Sequence, residues 1–319
     1  MDTPQVWVPV AALAQLQGAG PHRARAFGDD LVLWQAGDGR WAAALDRCPH
    51  RGSALSLGRV ESGLLACRYH GWRFAEDGRC VLQPAQPDFT PPASHACTRW
   101  PCEARHGLLW LAPPGSAGSP PSVPGWPDRQ LLCGPFDVAT SAPRVVENFL
   151  DTAHFAFVHE GSLGDRGHAE VPAYEVLADE LGRPGVPHYR AWQPRARADA
   201  TGGAWVSYRY QLLTPFAAVL HKQAEGDAPR EAYALWVQPL DEETSRAWFT
   251  IATDAASPAD AELLAFQAAV FAEDRPVLES QRPRRLPLGP GAEAHSTADR
   301  LSAAYRRWLL AQPQRYGTC

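Results

Sequence analysis

No apolar run in this chain approaches the length of a membrane-spanning helix, so no membrane partner is expected. Its opening residues, Met1-Asp2-Thr3-Pro4, lack the basic start and apolar core of a signal peptide. Lys/Arg runs are missing as well, and a formal net charge of −5 argues against nucleic acid or an anionic membrane as partner. No strand–GxGxxG–helix unit is present, so any NAD(P)H chemistry belongs to another polypeptide. There is no internal repeat or extended low-complexity tract. Cysteine is sparse: of seven, Cys80, Cys97, Cys102, Cys133 and Cys319 belong to no motif. They read most simply as free thiols of a reducing cytoplasm, with a Cys97–Cys102 disulfide as the unsupported alternative.

What is present is concentrated in two short segments, Cys48-Pro49-His50-Arg51-Gly52 and Cys67-Arg68-Tyr69-His70-Gly71-Trp72. Each offers one thiolate and one imidazole, and 16 residues separate His50 from Cys67. Two Cys on one iron and two His on the other is the ligand set of a Rieske [2Fe–2S] cluster. A structural zinc site is the competing reading, but zinc fingers usually pair like ligands, Cys with Cys and His with His. Here each loop supplies one of each kind, as two chemically distinct irons require. Gly52 and Gly71 let the backbone come close to the inorganic sulfides, and Pro49 stiffens the first loop.

The length of 319 residues suggests two domains, and 12 Trp, 11 Phe and 8 Tyr supply aromatic cores. The first, expected over 1–115, reads as all-β. Its strand-length segments include 30–34, 40–45 and 107–111, punctuated by turns at 36–39 and 76–78. A stretch dense in Pro, Gly and Ser marks a linker over 116–129. The remainder, 130–319, reads as α+β, helices against one antiparallel sheet. Val206, Tyr208, Tyr210 and Leu212 alternate with Trp205, Ser207, Arg209 and Gln211, and Tyr233-Leu235-Val237 and Phe249-Ile251 repeat that period. A helix is expected from about 142 to 158. Two more follow the sheet, started by Ser257-Pro258-Ala259-Asp260 and by Ser296-Thr297-Ala298-Asp299 ahead of a Leu301, Tyr305, Trp308, Leu309 stripe.

On an ideal helix Asp151, His154 and His159 share one arc with Phe155 and Val158. Two imidazoles and an acid on an apolar face are costly unless they bind something or one another. A spacing of five residues makes the two His converge on one metal only with a distortion or a helix end between them.

With both motifs in this order and a linker between them, the chain resembles the oxygenase component of Rieske non-haem iron oxygenases across nearly its whole length. Cys48, His50, Cys67 and His70 match the family's cluster motif, and Asp151, His154 and His159 its catalytic motif. The resemblance implies an all-β Rieske domain followed by an α+β catalytic domain of helix-grip (START-like) type. It also implies a mononuclear Fe(II) held by His154 and His159, and Asp151 as a bridge between subunits that carries electrons from a cluster His. The third ligand, a carboxylate on a late helix, is best matched by Asp274. That residue lies on one line with Leu263, Val270 and Val277, whereas Glu273 falls at the edge and Glu279 points away. A pairing of Asp274 with Arg275 or Arg282 is the alternative. Asn148 and Glu147 are candidates to line the iron site, and Pro276 is expected to distort the helix.

The activity implied is hydroxylation or O-/N-demethylation of a small aromatic or heterocyclic substrate with O₂. Electrons would come from a separate NAD(P)H-dependent reductase, with or without a ferredoxin, and the compact length resembles the branch that forms homotrimers. Ring cis-dihydroxylation is the runner-up. Readings of other classes are a Rieske electron carrier with a non-catalytic ligand-binding domain and a zinc-stabilised binding protein. Tyr208, Tyr210, Trp236 and Phe249 are candidate pocket walls, with Phe155 or Phe157 reaching the iron.

Overall fold

The computed structural model describes residues 6–123, 125–195, 202–225, 229–256, 258–313 and 315–319. The chain divides into two compact units, 1–120 and 121–319.

The first unit is built of three small antiparallel sheets. One joins Val8–Ala12, Leu108–Leu111 and Cys102–Arg105. A second runs His22–Ala26, Asp29–Gln35, Trp41–Leu45, Arg99–Trp100. The third runs Arg59–Glu61, Leu64–Ala66, Arg73–Phe74, Cys80–Leu82. The turns expected from Gly/Asp clusters are there: Gly39 and Gly78, both at positive φ, donate back to Ala36 and Ala75. Trp34, Leu65 and Phe74 are buried in a core shared with Cys48, Cys67, Cys80 and Cys97. None of the seven cysteines forms a disulfide.

In the second unit the strands are β1 (Arg129–Val138), β2 (Leu177–Ala178), β3 (Pro184–Gln193), β4 (Ala204–Thr214), β5 (Ala217–Ala224), β6 (Glu231–Pro239) and β7 (Ser245–Thr253). They form one antiparallel sheet in the order β1-β7-β6-β5-β4-β3-β2. The alternation read from β4 holds: Val206, Tyr208, Tyr210 and Leu212 are buried, while Trp205 and Arg209 are exposed. Helices α1 (Ala142–Leu150), α2 (Phe155–Val158), α3 (Asp260–Ser280) and α4 (Arg300–Leu310) complete the unit, and α1 and α3 pack on the sheet.

Three helix expectations need correction. The helix anticipated over 142–158 stops at Leu150, because Asp151 takes an extended ψ of 131° and turns its carboxylate back to accept from the Ala153 N–H at 2.7 Å. An Asp side chain that satisfies nearby backbone in this way competes with the helix ladder, so Asp151 is a C-cap rather than a mid-helix acid. Ser257 lies outside the described residues; α3 starts at Asp260 after Ala259, whose N–H is accepted by Glu262 at 3.2 Å. Pro276 sits inside α3 without ending it. The buried line of α3 is Leu263, Gln267, Val270, Phe271, Asp274 and Leu278, whereas Val277, expected on it, is 43 % exposed. The start of α4 is as read, with the Ser296 hydroxyl accepting from Ala298 N–H and Asp299 from Ser296 N–H.

Candidate functional site

The two Cys/His loops of the first unit are near-copies of each other. Gly52 N–H donates to Cys48 O at 2.8 Å and Gly71 N–H to Cys67 O at 2.9 Å. Cys48 N–H reaches Ser53 O, and Cys67 N–H reaches Trp72 O in the same way. The turn requires φ near +70° at Gly52 and Gly71, a region where a Cβ is penalised. Both thiols end up buried and both imidazoles exposed, with the His50 and His70 ring centres 4.6 Å apart. Trp72 stacks on His50 at 4.5 Å with planes 2° apart. Burial pushes the Cys48 thiol up to about 11, and its thiolate therefore needs positive charge beside it. His50 is held below its usual value, first by partial desolvation and then by His70 and Arg51, which favours the neutral ring a metal requires. Paired buried sulfurs and two neighbouring exposed imidazoles fit a Rieske cluster.

In the second unit the break after α1 brings together what a continuous helix would hold apart. His154 and His159 flank the single turn of α2, and their Nε2 atoms approach to 3.2 Å. From α3, Asp274 Oδ1 lies 3.2 Å from His159 Nε2 and 3.5 Å from His154 Nε2. Among the described residues no arginine pairs with Asp274: Arg275 pairs with Glu279, and Arg282 donates to backbone carbonyls. Instead Asn148 Nδ2 donates to Asp274 Oδ1 at 3.2 Å.

The remaining ring nitrogens are oriented by acids. His159 Nδ1 donates to Glu273 Oε2 at 2.7 Å, which fixes its proton there and turns the Nε2 lone pair inward. His154 Nδ1 is buried without a hydrogen-bond partner, and Asp151 Oδ2 stands 3.5 Å away. Two imidazole lone pairs and a carboxylate oxygen converging in a buried space repel one another unless a proton or a cation sits among them. Two His and one carboxylate suit Fe(II), so the donor set fits a mononuclear iron. Burial works to lower the basicity of His159, but Asp274 and Glu273 together carry its pKa above the usual value. Burial likewise works to raise Asp151, yet His154 and the Ala153 N–H hold it below the usual carboxylate range.

This trio opens on a cavity with about 700 Å³ of space, mouth included. Aromatic rings of Phe149, Phe155, Tyr208, Tyr233, Phe249 and Phe271 make its walls. Polar groups reach it from Asn148, Lys222 and Gln267.

Of the wall candidates from sequence, Tyr208, Phe249 and Phe155 are in place. Tyr210 is packed beneath Tyr208, and Trp236 points into the core, donating to Thr250 Oγ1 at 2.8 Å. Phe157 is 58 % exposed and faces away. Glu147 does not line the site but receives both arms of Arg306 in a buried network with Arg144 and Glu293. Glu273 keeps the edge position expected of it, with its side chain 42 % exposed, yet its carboxylate meets His159, a contact with another segment that helical projection does not show. Gln267 lies seven residues before Asp274 on the same helical line, a signal present in the sequence but unread.

Comparison with known proteins agrees with both halves. Residues 6–98 match the Rieske [2Fe–2S] domain, and residues 138–312 the vanillate O-demethylase oxygenase C-terminal domain. Methylxanthine N1-demethylase NdmA of Pseudomonas putida is 32% identical over 318 residues, covering 95% of this chain and 87% of NdmA. The vanillate O-demethylase oxygenase subunit of a Pseudomonas species is 31% identical over 281 residues, 79% of this chain and 84% of that one. The structure of Pseudomonas putida CBB5 NdmA with caffeine superposes with a TM-score of 0.84 at 31% identity, covering 95% of this chain and 89% of that chain. Two electron-handling ligand loops, a second ligand trio and these matches lead to one assignment: the chain belongs to the Rieske non-haem iron oxygenases, oxidoreductases that act on small aromatic or heterocyclic molecules.

Proposed function

We propose that this oxygenase removes a methyl group, as formaldehyde, from a small planar N- or O-methylated ring compound. The observation that carries this reading is the aromatic cavity opening directly on His154, His159 and Asp274. Cys48, Cys67, His50 and His70 would hold the [2Fe–2S] cluster, and His154, His159 and Asp274 the mononuclear iron. An iron held there would supply the activation of dioxygen, and a cluster held in the first unit would supply the electrons. The protein's own part is positioning. Glu273 fixes the tautomer of His159, and Asn148 holds the Asp274 carboxylate in orientation. Phe149, Phe155, Tyr208 and Phe249 exclude water and confine a flat ring. The Gln267 carboxamide, buried and facing the cavity, can both donate to and accept from a ring edge.

Asp151 is a positioning residue in the same scheme. Its one oxygen is spent on the Ala153 N–H, while the other faces His154 and the side chain is 30 % exposed. That partial exposure leaves Asp151 able to bridge to a cluster imidazole of a second copy of the chain, in keeping with a cytoplasmic homotrimer served by a separate reductase. Domain limits of 1–115 and 130–319, with 116–129 between them, suit that arrangement.

The test is a panel of methylated purines, methoxybenzoates and unmethylated rings, incubated with NADH, a surrogate reductase and O₂. Formaldehyde in step with O₂ consumption is expected. An oxygenated product that keeps its methyl groups, or a cis-diol, would overturn the demethylase reading. Purified protein should carry about three irons and two acid-labile sulfides per chain.

A further inference from the structure

Lys222, one member of a buried pair of opposite charges, lines the same cavity. Lys222 on β5 and Glu231 on β6 are direct cross-strand partners, with Tyr208 of β4 opposite Lys222 on its other side. Lys222 Nζ lies 3.8 Å from Glu231 Oε2, and both side chains are 5 % exposed. The Tyr233 hydroxyl donates to the same Glu231 oxygen at 3.2 Å, and the ammonium stands 5.9 Å from the Tyr233 ring centre. Lys222 and Tyr233 border the cavity that holds His154, His159 and Asp274. A buried ion pair returns little stability, because desolvation consumes most of its Coulombic gain, and apolar residues of similar size often do better. The location on a ligand-facing wall gives this pair a use that stability does not.

We propose that the Lys222–Glu231–Tyr233 group selects the substrate, with the Lys222 ammonium donating to a neutral acceptor on a heterocycle, a ring carbonyl or unprotonated ring nitrogen. The same group keeps aromatic carboxylates out. A lone buried ammonium would draw in a carboxylate. With Glu231 beside it the charge is already balanced, so a second carboxylate would bring an uncompensated negative charge into a dry wall and face Glu231 at close range. A carbonyl brings only a dipole and leaves the balance intact. Lys222 from the sheet and Gln267 from α3 then give two polar handles on an otherwise aromatic pocket, which suits a ring with acceptors on more than one edge. This inference rests on the demethylase reading and narrows it to uncharged N-heterocycles.

The experiment is calorimetric titration of the anaerobic, iron-loaded enzyme with caffeine and theobromine as neutral probes and vanillate as the carboxylate probe. Wild type should bind the best neutral probe at least about 10-fold tighter than vanillate. Lys222→Met should weaken the neutral probe about 10- to 100-fold, the scale of a hydrogen bond to a charged donor. Glu231→Gln should reverse the order, raising vanillate affinity about 10-fold or more. The double variant Lys222→Met/Glu231→Leu, an apolar replacement of the whole pair, should keep its unfolding temperature and lose discrimination, which separates selectivity from folding. Vanillate binding as tightly as the neutral probes in wild type, no binding of any neutral probe, or an unchanged ratio in the variants would overturn the proposal. Binding is read without turnover. Absent formaldehyde with the affinity ratios intact therefore counts against demethylation alone.

Discussion

In the first unit each candidate cluster loop carries its Cys and His within four residues and closes on itself through one Gly at positive φ. In the second unit the trio spans residues 154 to 274, and no two of its members share a regular element. The first kind of site is made by local backbone geometry and turns its imidazoles to solvent. The second is made by tertiary packing, lies under a sheet of aromatic side chains and needs acids behind its imidazoles. A self-contained loop should tolerate damage elsewhere in the chain; a site assembled from distant segments should fail when any support moves.

The sharpest way to break this contrast is to remove one ligand from each side. His154→Ala should abolish formaldehyde release and lower the metal count to the two cluster irons, with the red-brown absorption unchanged. Cys48→Ser should bleach that absorption. Bleaching by His154→Ala would mean that the two sites are not separable.

Next in size is the buried charge network behind α1. Arg306, whose pKa is raised despite burial because Glu147 and Glu293 both face it, holds α4 to α1. Arg306→Met removes the main partner of the buried Glu147 carboxylate and should cost about 3 kcal/mol in the second unit, measured by calorimetric unfolding. The visible spectrum at room temperature should remain.

Glu273→Gln tests whether the assembled site needs its outer acid. Mononuclear iron affinity should fall about 10- to 100-fold, measured by competition with a chelator, and the cluster should be unaffected. An unchanged affinity would show that the 2.7 Å contact to His159 is incidental.

The smallest effect concerns pH. His221 on β5 is driven down to about 4, by desolvation first and then by Arg209 and Arg230. A histidine whose folded pKa lies below its unfolded value of 6.5 takes up a proton on unfolding between those limits. Stability of the second unit should thus be full above pH 6.5 and decline as pH falls toward 4. His221→Gln should flatten that slope in denaturant titrations.

How much of this was legible in the sequence follows the same contrast. Cys48, His50, Cys67 and His70 could be read directly, since their spacing encodes the loop. The β4 alternation could be read because one face of that strand is buried and the other wet. The long helix was read one segment too far, because periodicity does not register that Asp151 prefers to satisfy the Ala153 N–H. Helical projection places Asp274 on the buried face, as observed, but does not reveal the contacts of Glu273 and Lys222. Their roles depend on which segment folds against them, and neither spacing nor propensity contains that.

Glu273 and Asp274 are consecutive residues of α3, yet they grip opposite nitrogens of one imidazole ring. The helix thereby acts as a lever with His159 as its fulcrum, and the same rod carries Gln267 and Phe271 into the substrate cavity. A substitution that displaced this rod would therefore disturb both contacts of the ring and the cavity wall at once.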